Sequence, residues 1–370
     1  MKKYKILEVS SDTNIGGAGK CVLTLLENFD CDKFDVKVVL PKDSLLKEHI
    51  EKLSFEVIEV DGMADKSLSF ADINKLKEIF KREKPDLVHT HGSMSARIAA
   101  RFTGAKVVYT RHSVFEPSKK ISQGVGKVIN GVINNYFADG IIAVAQAAKD
   151  NLTATGVKDD KIDVILNGVK GLTPISEADK AEFCSRFGLD NKPIVSIVAR
   201  LEDIKGHEYF IDAADELLKK GIEATFVIAG TGSYEAKLKE KVQKLGREKD
   251  IIFTGFITDV DKLMNVTDIQ VNASYGTEAT SLALLEGMSL GVPAVVSDFG
   301  GNPGVIKDGV NGFVVPKKNA HALAEKIEEL IQNKELYSRL SAGAVEIFNE
   351  TFTAKAMTKQ TEKLYERILR

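Results

Sequence analysis

One stretch of the sequence decides the fold: Ile194-Val-Ser-Ile-Val-Ala-Arg200-Leu-Glu-Asp-Ile-Lys205-Gly-His207. Its first part, Ile194–Val198, is a short run rich in β-branched residues, which predicts a buried strand. The residues after His207 have the spacing of a helix. Arg200 and Lys205 therefore fall in the loop at the carboxyl end of a strand, where α/β proteins bind their ligands.

The same alternation of short apolar runs and amphipathic segments extends through the whole chain. In the first half the predicted strands are Lys5–Val9, Val36–Leu40, Val57–Val60, Leu87–Val88, Val107–Tyr109 and Ile141–Val144. In the second half they are Ile194–Val198, Thr225–Ala229, Ile251–Phe253, Ile269–Val271 and Ala294–Val296. This alternation is typical of parallel βαβ units and predicts an α/β protein with two doubly wound, Rossmann-like sheets.

The two series of strands are separated by Asn167–Pro174, which contains two glycines and a proline and is the predicted linker. We place an N-terminal domain at residues 1–170 and a C-terminal domain at 171–352. Residues 353–370 have helical spacing but follow no strand, so they are expected to dock back toward the N-terminal domain. Ligands of open α/β sheets bind at the carboxyl ends of the strands, which predicts one cleft between two facing domains.

Composition excludes several classes of protein. The 370 residues are 44% hydrophobic and 28% charged, as in globular proteins of average composition. The formal net charge of −2 provides no basic field for nucleic acid. Three scattered cysteines fit neither a disulfide framework nor a zinc site. No signal peptide or membrane-spanning run is recognisable, so the expected location is the cytoplasm.

A glycine-rich segment, Asp12–Lys20, follows the first strand and leads into a predicted helix at Val22–Phe29. Such a segment brings backbone N–H groups close to an anion. It is not a Walker loop, because Asn14 replaces the first glycine and Cys21 the magnesium-binding hydroxyl. It is either a phosphate cradle or a tight turn between strand and helix.

Charged residues of the second half suggest a ligand with a diphosphate. Arg200 and Lys205 are either solvated surface charges or two cations that close on one diphosphate. Glu278 and Glu286 lie eight positions apart across the start of a predicted helix, Leu282–Leu290. Eight helical residues advance about 12 Å, too far for a pair of glycosidase carboxylates, but suitable for gripping two parts of an extended ligand.

Taken together and in order, these segments resemble the retaining family 4 glycosyltransferases of the GT-B fold. The resemblance rests on Gly16-Gly17, Ala138–Val144, Ile165–Val169, Ala199-Arg200-Leu201, Lys205-Gly206, Ile252–Phe256, Glu278 with Glu286, Gly291–Ser297 and Gly309–Gly312. Each motif is weak alone, but the ordered set covers nearly the whole chain.

The resemblance implies a binding site for the donor phosphates. Arg200 and Lys205 match the family's cations for the donor diphosphate, and the backbone N–H groups of Ser281 and Leu282 match the helix start that meets the phosphates. Gly16 and Gly17 are expected to complete this cradle from the other domain.

It also implies roles for residues around the sugar and the nucleoside. Glu286 matches the acid that holds the ribose hydroxyls, and Phe256 and Ile257 match the main chain of the base pocket. Glu278 matches the acid near the donor sugar. His112 matches the family's histidine near the reacting centre, although a histidine in such a loop is as often structural.

Two other patterns raise the question of a metal. His89 and His91 share one face of a strand, but no acidic or thiol partner accompanies them in the sequence. Asp259 and Asp261 have the spelling of an acidic metal motif, yet they stand at a helix start, where acids favour the helix dipole. We therefore expect no metal site and no cofactor, with the nucleotide-sugar acting as substrate.

The segment Ser118–Phe137 carries Val125, Val128, Ile129, Val132 and Ile133 together with three lysines. One interpretation rests this segment on an anionic membrane. The favoured one packs the aliphatic residues into the core and leaves a basic edge exposed.

The predicted function is transfer of a hexosyl unit from a nucleotide-sugar, with UDP the expected nucleotide, to an acceptor hydroxyl. The resemblance implies retention of configuration and a sugar or lipid-linked acceptor in glycan, glycolipid or cell-surface polysaccharide synthesis. Independence of metal is predicted from charge balance, because Arg200, Lys205 and the helix start at Ser281–Leu282 can neutralise the leaving diphosphate. The alternatives are a nucleotide-sugar 2-epimerase of the same fold and a non-catalytic subunit that binds sugar nucleotides.

Overall fold

A computed structural model describes residues 3–63, 67–114 and 117–370 of the chain. The chain forms two compact units. The first consists of Met1–Val169 together with Ala354–Arg370, and the second of Lys170–Thr353. These bounds differ by one residue from the predicted ones.

The first unit is built on a seven-stranded parallel sheet with the strand order β3-β2-β1-β4-β5-β6-β7. Its strands are β1 Tyr4–Ser10, β2 Phe34–Pro41, β3 Glu56–Val60, β4 Leu87–His91, β5 Lys106–Arg111, β6 Gly140–Ala143 and β7 Ile162–Val164. Its helices before the second unit are α1 Gly17–Asn28, α2 Leu46–Lys52, α3 Phe70–Glu83, α4 Met94–Thr103, α5 Lys119–Ser122, α6 Gly124–Tyr136 and α7 Gln146–Ala154.

The second unit contains a six-stranded parallel sheet with the order β10-β9-β8-β11-β12-β13. Its strands are β8 Ile194–Val198, β9 Thr225–Ala229, β10 Ile251–Gly255, β11 Ile269–Asn272, β12 Ala294–Ser297 and β13 Gly312–Val315. Its helices are α8 Glu177–Phe187, α9 His207–Lys219, α10 Glu235–Leu245, α11 Val260–Val266, α12 Leu282–Ser289, α13 Asn302–Val305, α14 Ala320–Gln332 and α15 Lys334–Thr351.

The predicted α/β class with two doubly wound parallel sheets is confirmed. All eleven predicted strands are present, and two short ones, β7 and β13, were missed. Consecutive residues of the central strands are buried, as in β2, where Val38, Val39 and Leu40 are all inaccessible to solvent. Helices on both faces of a parallel sheet produce this pattern of continuous apolar runs.

The chain returns to the first unit through its last helix, α16, at Ala354–Leu369. Met357, Leu364 and Tyr365 of this helix belong to the same core cluster as residues of β1, β2 and α1. The ring of Tyr365 packs against Phe29 and Phe34 at centroid distances of 6.1 and 6.0 Å. The helix therefore completes one face of the first sheet.

Helix α6 contradicts the favoured prediction that its aliphatic residues pack into the core. Its exposed apolar residues are between 39% and 74% accessible: Val125, Val128, Ile129, Val132, Ile133 and Tyr136. Periodicity identified one apolar face but did not reveal that this face stays exposed among the described residues. Among the described residues, no helix is both long and apolar enough to cross a membrane.

Candidate active site

Each sheet has a topological switch point, where neighbouring strands are followed by connections that leave in opposite directions. In the second unit it lies between β8 and β11, and in the first between β1 and β4. Loops at such a point leave a crevice at the carboxyl ends of the strands. Most of the predicted site residues lie in these loops.

Lys205 and Glu278 meet at the switch point of the second unit. Lys205 ends a short 3-10 turn after β8, and Glu278 lies in the loop after β11. The Lys205 Nζ atom is 3.0 Å from Glu278 Oε2, and the two side chains are 13% and 9% exposed. Lys205 also donates to the carbonyl oxygen of Thr277 at 3.1 Å. The structure thus joins two predicted residues in a largely buried ion pair.

Two glycines with positive φ bring the loops around this ion pair together. At Gly206, with φ of 75°, a Cβ would lie 2.1 Å from the carbonyl oxygen of Ala273. At Gly300, with φ of 61°, a Cβ would lie 2.0 Å from the carbonyl oxygen of Glu278. Only glycine fits these contacts, so both positions are required for the geometry of the ion pair.

Neutral polar side chains fix the carboxylate of Glu278. Asn272 Nδ2 and Ser274 Oγ donate to its Oε2 atom at 3.2 and 3.1 Å. Asn302 Nδ2 in turn contacts Asn272 Oδ1 at 3.4 Å and donates to Ser297 Oγ at 3.1 Å. The sequence analysis missed these residues. Their position at the carboxyl ends of β11 and β12 is the signal that identifies them.

Arg200 is placed differently from Lys205. Its side chain is 73% exposed, and its Nη1 atom lies 2.9 Å from Glu202 Oε1. Among the described residues, no ion pair joins Arg200 to Glu278, and Arg200 stays at the surface beside the buried pair.

The predicted helix start after Glu278 is present, with one correction. Helix α12 begins at Leu282, and Ser281 caps it by accepting a hydrogen bond from the N–H of Leu284 at 3.4 Å. Glu286 is half-buried on this helix. Glu278 lies before the helix in irregular backbone, so the separation of about 12 Å, which assumed eight helical residues, does not apply.

The two residues predicted for the base pocket follow a different strand from the residues of the ion pair. Phe256 follows β10, the edge strand of the sheet, and is 75% exposed. Ile257 packs against the core cluster beneath β8 and β9. Asp259, at the start of α11, forms an ion pair with Arg186 at 2.8 Å, so the interpretation of this acid as a helix-start residue is confirmed.

A buried histidine two positions after Lys205 was not singled out in the sequence. His207 is the first residue of α9 and is 1% exposed. Neither of its ring nitrogens has a hydrogen-bond partner among the described residues. Burial, and to a lesser degree the charge of Lys205, lower its pKa to about 4, so the ring is neutral at pH 7.

In the first unit, Glu8, His91 and His112 form a chain of hydrogen bonds. Glu8 lies on β1, His91 ends β4, and His112 follows β5. His91 Nε2 is 2.9 Å from Glu8 Oε2, and His91 Nδ1 is 2.8 Å from His112 Nε2. Glu8 and His91 are buried. The buried carboxylate of Glu8 is therefore connected through the imidazole of His91 to His112, the histidine predicted from the sequence.

A second branch of this network runs through His89, which is paired in register with Glu8 across β1 and β4. Tyr365 Oη is 2.7 Å from Glu8 Oε1 and 2.5 Å from His89 Nδ1. His89 Nε2 is 2.6 Å from Thr110 Oγ1. Both nitrogens of His89 are therefore engaged.

One assignment of protons satisfies every contact of the network. Thr110 donates to His89, His89 Nδ1–H donates to the Tyr365 oxygen, and Tyr365 donates to Glu8. On the other branch His112 Nε2–H donates to His91 Nδ1, and His91 Nε2–H donates to Glu8. This leaves the Nδ1 lone pair of His112 as an acceptor outside the network.

The pKa directions agree with an ionised Glu8 carboxylate and with neutral imidazoles at His91 and His112. Burial alone raises the pKa of Glu8, but its interactions with His89 and His91 outweigh burial and hold the pKa well below its usual range. Burial and the neighbouring His89 lower the pKa of His91 to about 4. Burial and the other two imidazoles lower the pKa of His112 well below its usual value.

The argument that His89 and His91 lack an acidic partner is wrong. Glu8 supplies one from the neighbouring strand, and the ligand atoms of the three residues lie within 4.8 Å of one another. This partner was not recognised in the sequence because Glu8 is 81 positions away from His89. All four imidazole nitrogens already have protein partners, so the absence of a metal site stays a prediction.

A cavity of about 420 Å³ borders this network within the first unit. His91, Tyr109 and His112 line it together with Asp12, Arg97 and Arg111. Several further serine, threonine and asparagine residues contribute polar groups to its lining. Such a lining suits a hydroxylated ligand.

Gly16 and Gly17 lie at the start of α1 after β1. The helix begins at Gly17, several residues earlier than the predicted Val22, so Gly17–Lys20 forms its first turn. No described atom lies within 4 Å of a Cβ placed on either glycine. Steric contacts among the described residues therefore do not explain why glycine occupies these two positions.

Comparison with known proteins agrees with this geometry. Residues 15–170 match the model "Glycosyltransferase Family 4", and residues 179–346 match "Glycosyl transferases group 1". The fold is similar to that of HepE from Anabaena in its complex with UDP, with a TM-score of 0.85 and 23% identity over 98% of this chain and all of that one.

Two curated relatives are enzymes. An α-1,3-galactosyltransferase from Escherichia coli that uses UDP-Gal and α-D-GlcNAc-diphosphoundecaprenol is 26% identical over 90% of this chain and 89% of its own. The α-D-kanosaminyltransferase of Streptomyces kanamyceticus is 32% identical, but the match spans only 52% of this chain and 50% of that enzyme.

The chain belongs to the family 4 glycosyltransferases and has the GT-B fold. The predicted class of function, a nucleotide-sugar-dependent glycosyltransferase of glycan synthesis, is thereby confirmed. The two alternatives, a 2-epimerase and a non-catalytic subunit, are not favoured.

Proposed function

We propose that the protein transfers a hexosyl unit from a UDP-sugar to a hydroxyl of a sugar or lipid-linked acceptor, with retention of configuration. The observation that carries this proposal is the buried Lys205–Glu278 pair at the switch point of the second sheet. A buried ion pair fixed by two neutral donors is costly to build, and buried charged groups that are held in this way are candidates for a functional site.

Residues of the second unit bind the donor in this proposal. Lys205 neutralises the charge that develops on the diphosphate as the glycosidic bond breaks, and Arg200, which is exposed, moves onto the same phosphates when the donor binds. The N–H groups of Ser281 and Leu282, at the start of α12, face the phosphates, and Glu286 holds the ribose hydroxyls. Phe256 and Ile257 contribute main chain to the base pocket.

Glu278 is the proposed group near the donor sugar. Its carboxylate is held by Lys205, Asn272 and Ser274 on one oxygen, Oε2. The fixed carboxylate is suited to orient a sugar hydroxyl, since a preorganised acceptor costs no reorganisation during the reaction.

His112 acts at the reacting centre and is positioned by Glu8 through His91. Because the network assigns the proton of His112 to Nε2, its Nδ1 lone pair accepts a hydrogen bond from a sugar hydroxyl. A neutral imidazole whose tautomer is fixed by its partner is a common arrangement in catalysis. Gly16 and Gly17, which have open space beside them, let the donor phosphates approach the start of α1 closely.

The reaction needs neither a divalent metal nor a cofactor in this proposal. Charge on the leaving diphosphate must be neutralised by a metal or by protein cations and helix dipoles. Lys205, Arg200 and the start of α12 supply the second solution.

The exposed apolar face of α6 is proposed to rest on the inner face of the cell membrane. Lys119 and Lys120 are exposed directly before this helix, and Lys127 lies on it. A basic margin beside an apolar face fits a membrane with anionic lipids.

The membrane contact is tested by sedimentation with vesicles. The enzyme is expected to sediment with phosphatidylglycerol vesicles more than with phosphatidylcholine vesicles, and the double variant Val128→Asp, Val132→Asp is expected to remain in solution. Val345→Asp, at an exposed valine of α15, is the matched control. Equal sedimentation of all three proteins contradicts the proposal.

The transferase function is tested by nucleotide release. The enzyme is incubated with a UDP-sugar alone and then with candidate acceptors. Release of UDP that depends on the acceptor supports transfer, and an α-linked product, seen by NMR, supports retention. Release of UDP without acceptor supports the epimerase, and absence of release with bound UDP supports the non-catalytic subunit.

A further inference from the structure

Arg97, on α4, is a buried cation in the wall of the cavity of the first unit. It is 4% exposed and lines the cavity together with His91 and His112. Its guanidinium stacks on the ring of Tyr109 at 4.5 Å from the centroid. A guanidinium at this depth requires compensation for its lost hydration.

The protein partners of Arg97 are all neutral oxygens. Nε donates to the carbonyl of Phe137 at 3.2 Å, Nη1 to Asn134 Oδ1 at 3.1 Å and Nη2 to the carbonyl of Asn134 at 3.3 Å. The carbonyls at the end of α6 carry partial negative charge, which explains the orientation of the side chain but does not neutralise it. In residues 3–63, 67–114 and 117–370, Arg97 has no carboxylate partner.

Arg101, one turn further along α4, is a structural arginine with which Arg97 can be compared. Its terminal nitrogens bind both carboxylate oxygens of Asp139 at 3.3 Å. Arg97 is more buried than Arg101, yet it lacks a counter-ion among the described residues. Burial of Arg97 lowers its pKa to about 10, which still leaves it charged at pH 7.

The guanidinium also retains donors for a ligand. An arginine has five N–H groups, and three of those of Arg97 are used in the hydrogen bonds above. The remaining two are on Nη1 and Nη2, the pair with which arginine binds a carboxylate or phosphate bidentately. Among the described residues, the charged ones that line the cavity are Arg97, Arg111 and Asp12, so the described lining has a net positive charge.

We propose that this cavity is the acceptor subsite and that Arg97 binds an anionic oxyacid group, a phosphate or a carboxylate, of the acceptor. The inference rests on the proposed function, because it assigns an acceptor to the cavity beside His112. It narrows the substrate class from any hydroxyl compound to an anionic one.

The test compares acceptors that differ in charge. UDP release is measured with hexose 1-phosphates, hexuronic acids and neutral methyl hexosides, using UDP-glucose, UDP-galactose and UDP-N-acetylglucosamine as donors. At least one anionic set is expected to exceed the neutral set about tenfold or more in kcat/KM, because charge-assisted hydrogen bonds are involved. The better set identifies phosphate or carboxylate as the ligand group.

Substitutions then assign the preference to one residue. Arg97→Met is expected to abolish the preference, so that kcat/KM for the anionic acceptors falls to the level of the neutral ones, while the affinity for UDP is unchanged. Arg97→Lys is expected to retain part of it, and Arg101→Met, the matched control on the same helix, all of it. Equal rates with neutral and anionic acceptors, or an unchanged preference in Arg97→Met, would overturn the proposal.

A binding measurement separates this proposal from the transferase assignment. If no acceptor in the set supports release of UDP, the melting temperature is measured with inorganic phosphate and with acetate. A saturable rise in the wild type that is absent in Arg97→Met supports the subsite, and no rise with either anion overturns it. Failure to bind UDP counts against the proposed function alone.

Discussion

The ion pair of the second unit and the histidine network of the first unit are built in opposite ways. Lys205 and Glu278 stand on two loops, and glycines at two close contacts bring these loops together. Glu8 and His91 stand on two paired strands, and Tyr365 reaches them from a helix 357 positions along the chain. Site residues in loops belong to short contiguous motifs that can be recognised in the sequence. Residues that meet across the strands of a sheet are far apart in the sequence and form no such motif.

The largest expected effect is at the loop site. Lys205→Ala should lower kcat about 100- to 1000-fold, the usual cost of removing one preorganised stabiliser of a developing charge. Initial rates of UDP release in the presence of acceptor measure it. Lys219→Ala, at an exposed lysine of the same unit, is the control and should retain full activity. A loss of less than tenfold would remove Lys205 from the leaving-group site.

A smaller loss is expected when the network of the first unit is changed. Glu8→Gln leaves one oxygen and one amide where Tyr365 and His91 both donate, so one branch must reverse its protons. We expect kcat to fall about 10- to 100-fold, as for other residues that orient a ligand or base, with unchanged UDP affinity.

The control for Glu8→Gln is His89→Gln, which alters the branch that does not reach His112. It should reduce thermal stability but leave the pH profile of kcat in place, whereas Glu8→Gln should shift that profile. Identical profiles for both variants would make the whole network structural.

Stability at acid pH depends on buried histidines in both units. The folded-state pKa of His91 and of His207 is about 4, below the unfolded value near 6.5. As pH falls below 6.5 the unfolded chain takes up these protons first, so stability is lost between pH 6.5 and 4 at about 1.4 kcal/mol per pH unit for each histidine.

His207→Leu should reduce the slope of the unfolding free energy against pH, because up to one fewer proton is taken up on unfolding. Denaturant unfolding at a series of pH values measures this slope. His49→Gln, at an exposed histidine, should leave the slope as it is. An unchanged slope in His207→Leu would mean that the ring of His207 takes up a proton in the folded state.

The smallest effect is expected from removal of divalent metal. EDTA should leave most activity in place, because protein cations and the start of α12 neutralise the leaving group. Activity that EDTA abolishes and magnesium or manganese restores would contradict metal independence. The Glu8→Gln variant, assayed in parallel, shows whether any metal effect depends on the buried histidines.

The two sheets and the family could be predicted from the sequence alone. The sequence also pointed to Lys205, Glu278 and His112, which the structure places in the buried ion pair and in the histidine network. Strand periodicity is a local property, and loop motifs are contiguous, so both can be recognised without coordinates. Even here the local pattern misplaced the start of α1 and assigned Glu278 to helical spacing.

The tertiary structure was needed to show which distant residues contact each other and which helix faces stay exposed. It placed Glu8 against His89 and His91 through strand register, and it revealed Arg97 as a buried cation among neutral oxygens. It also left the apolar face of α6 uncovered, where periodicity had favoured core packing. Pairing and burial depend on which distant segments of the chain pack against a residue, and these segments are not apparent from the local sequence. Hydrophobic spacing shows that a helix face is apolar, but it does not show which element covers that face.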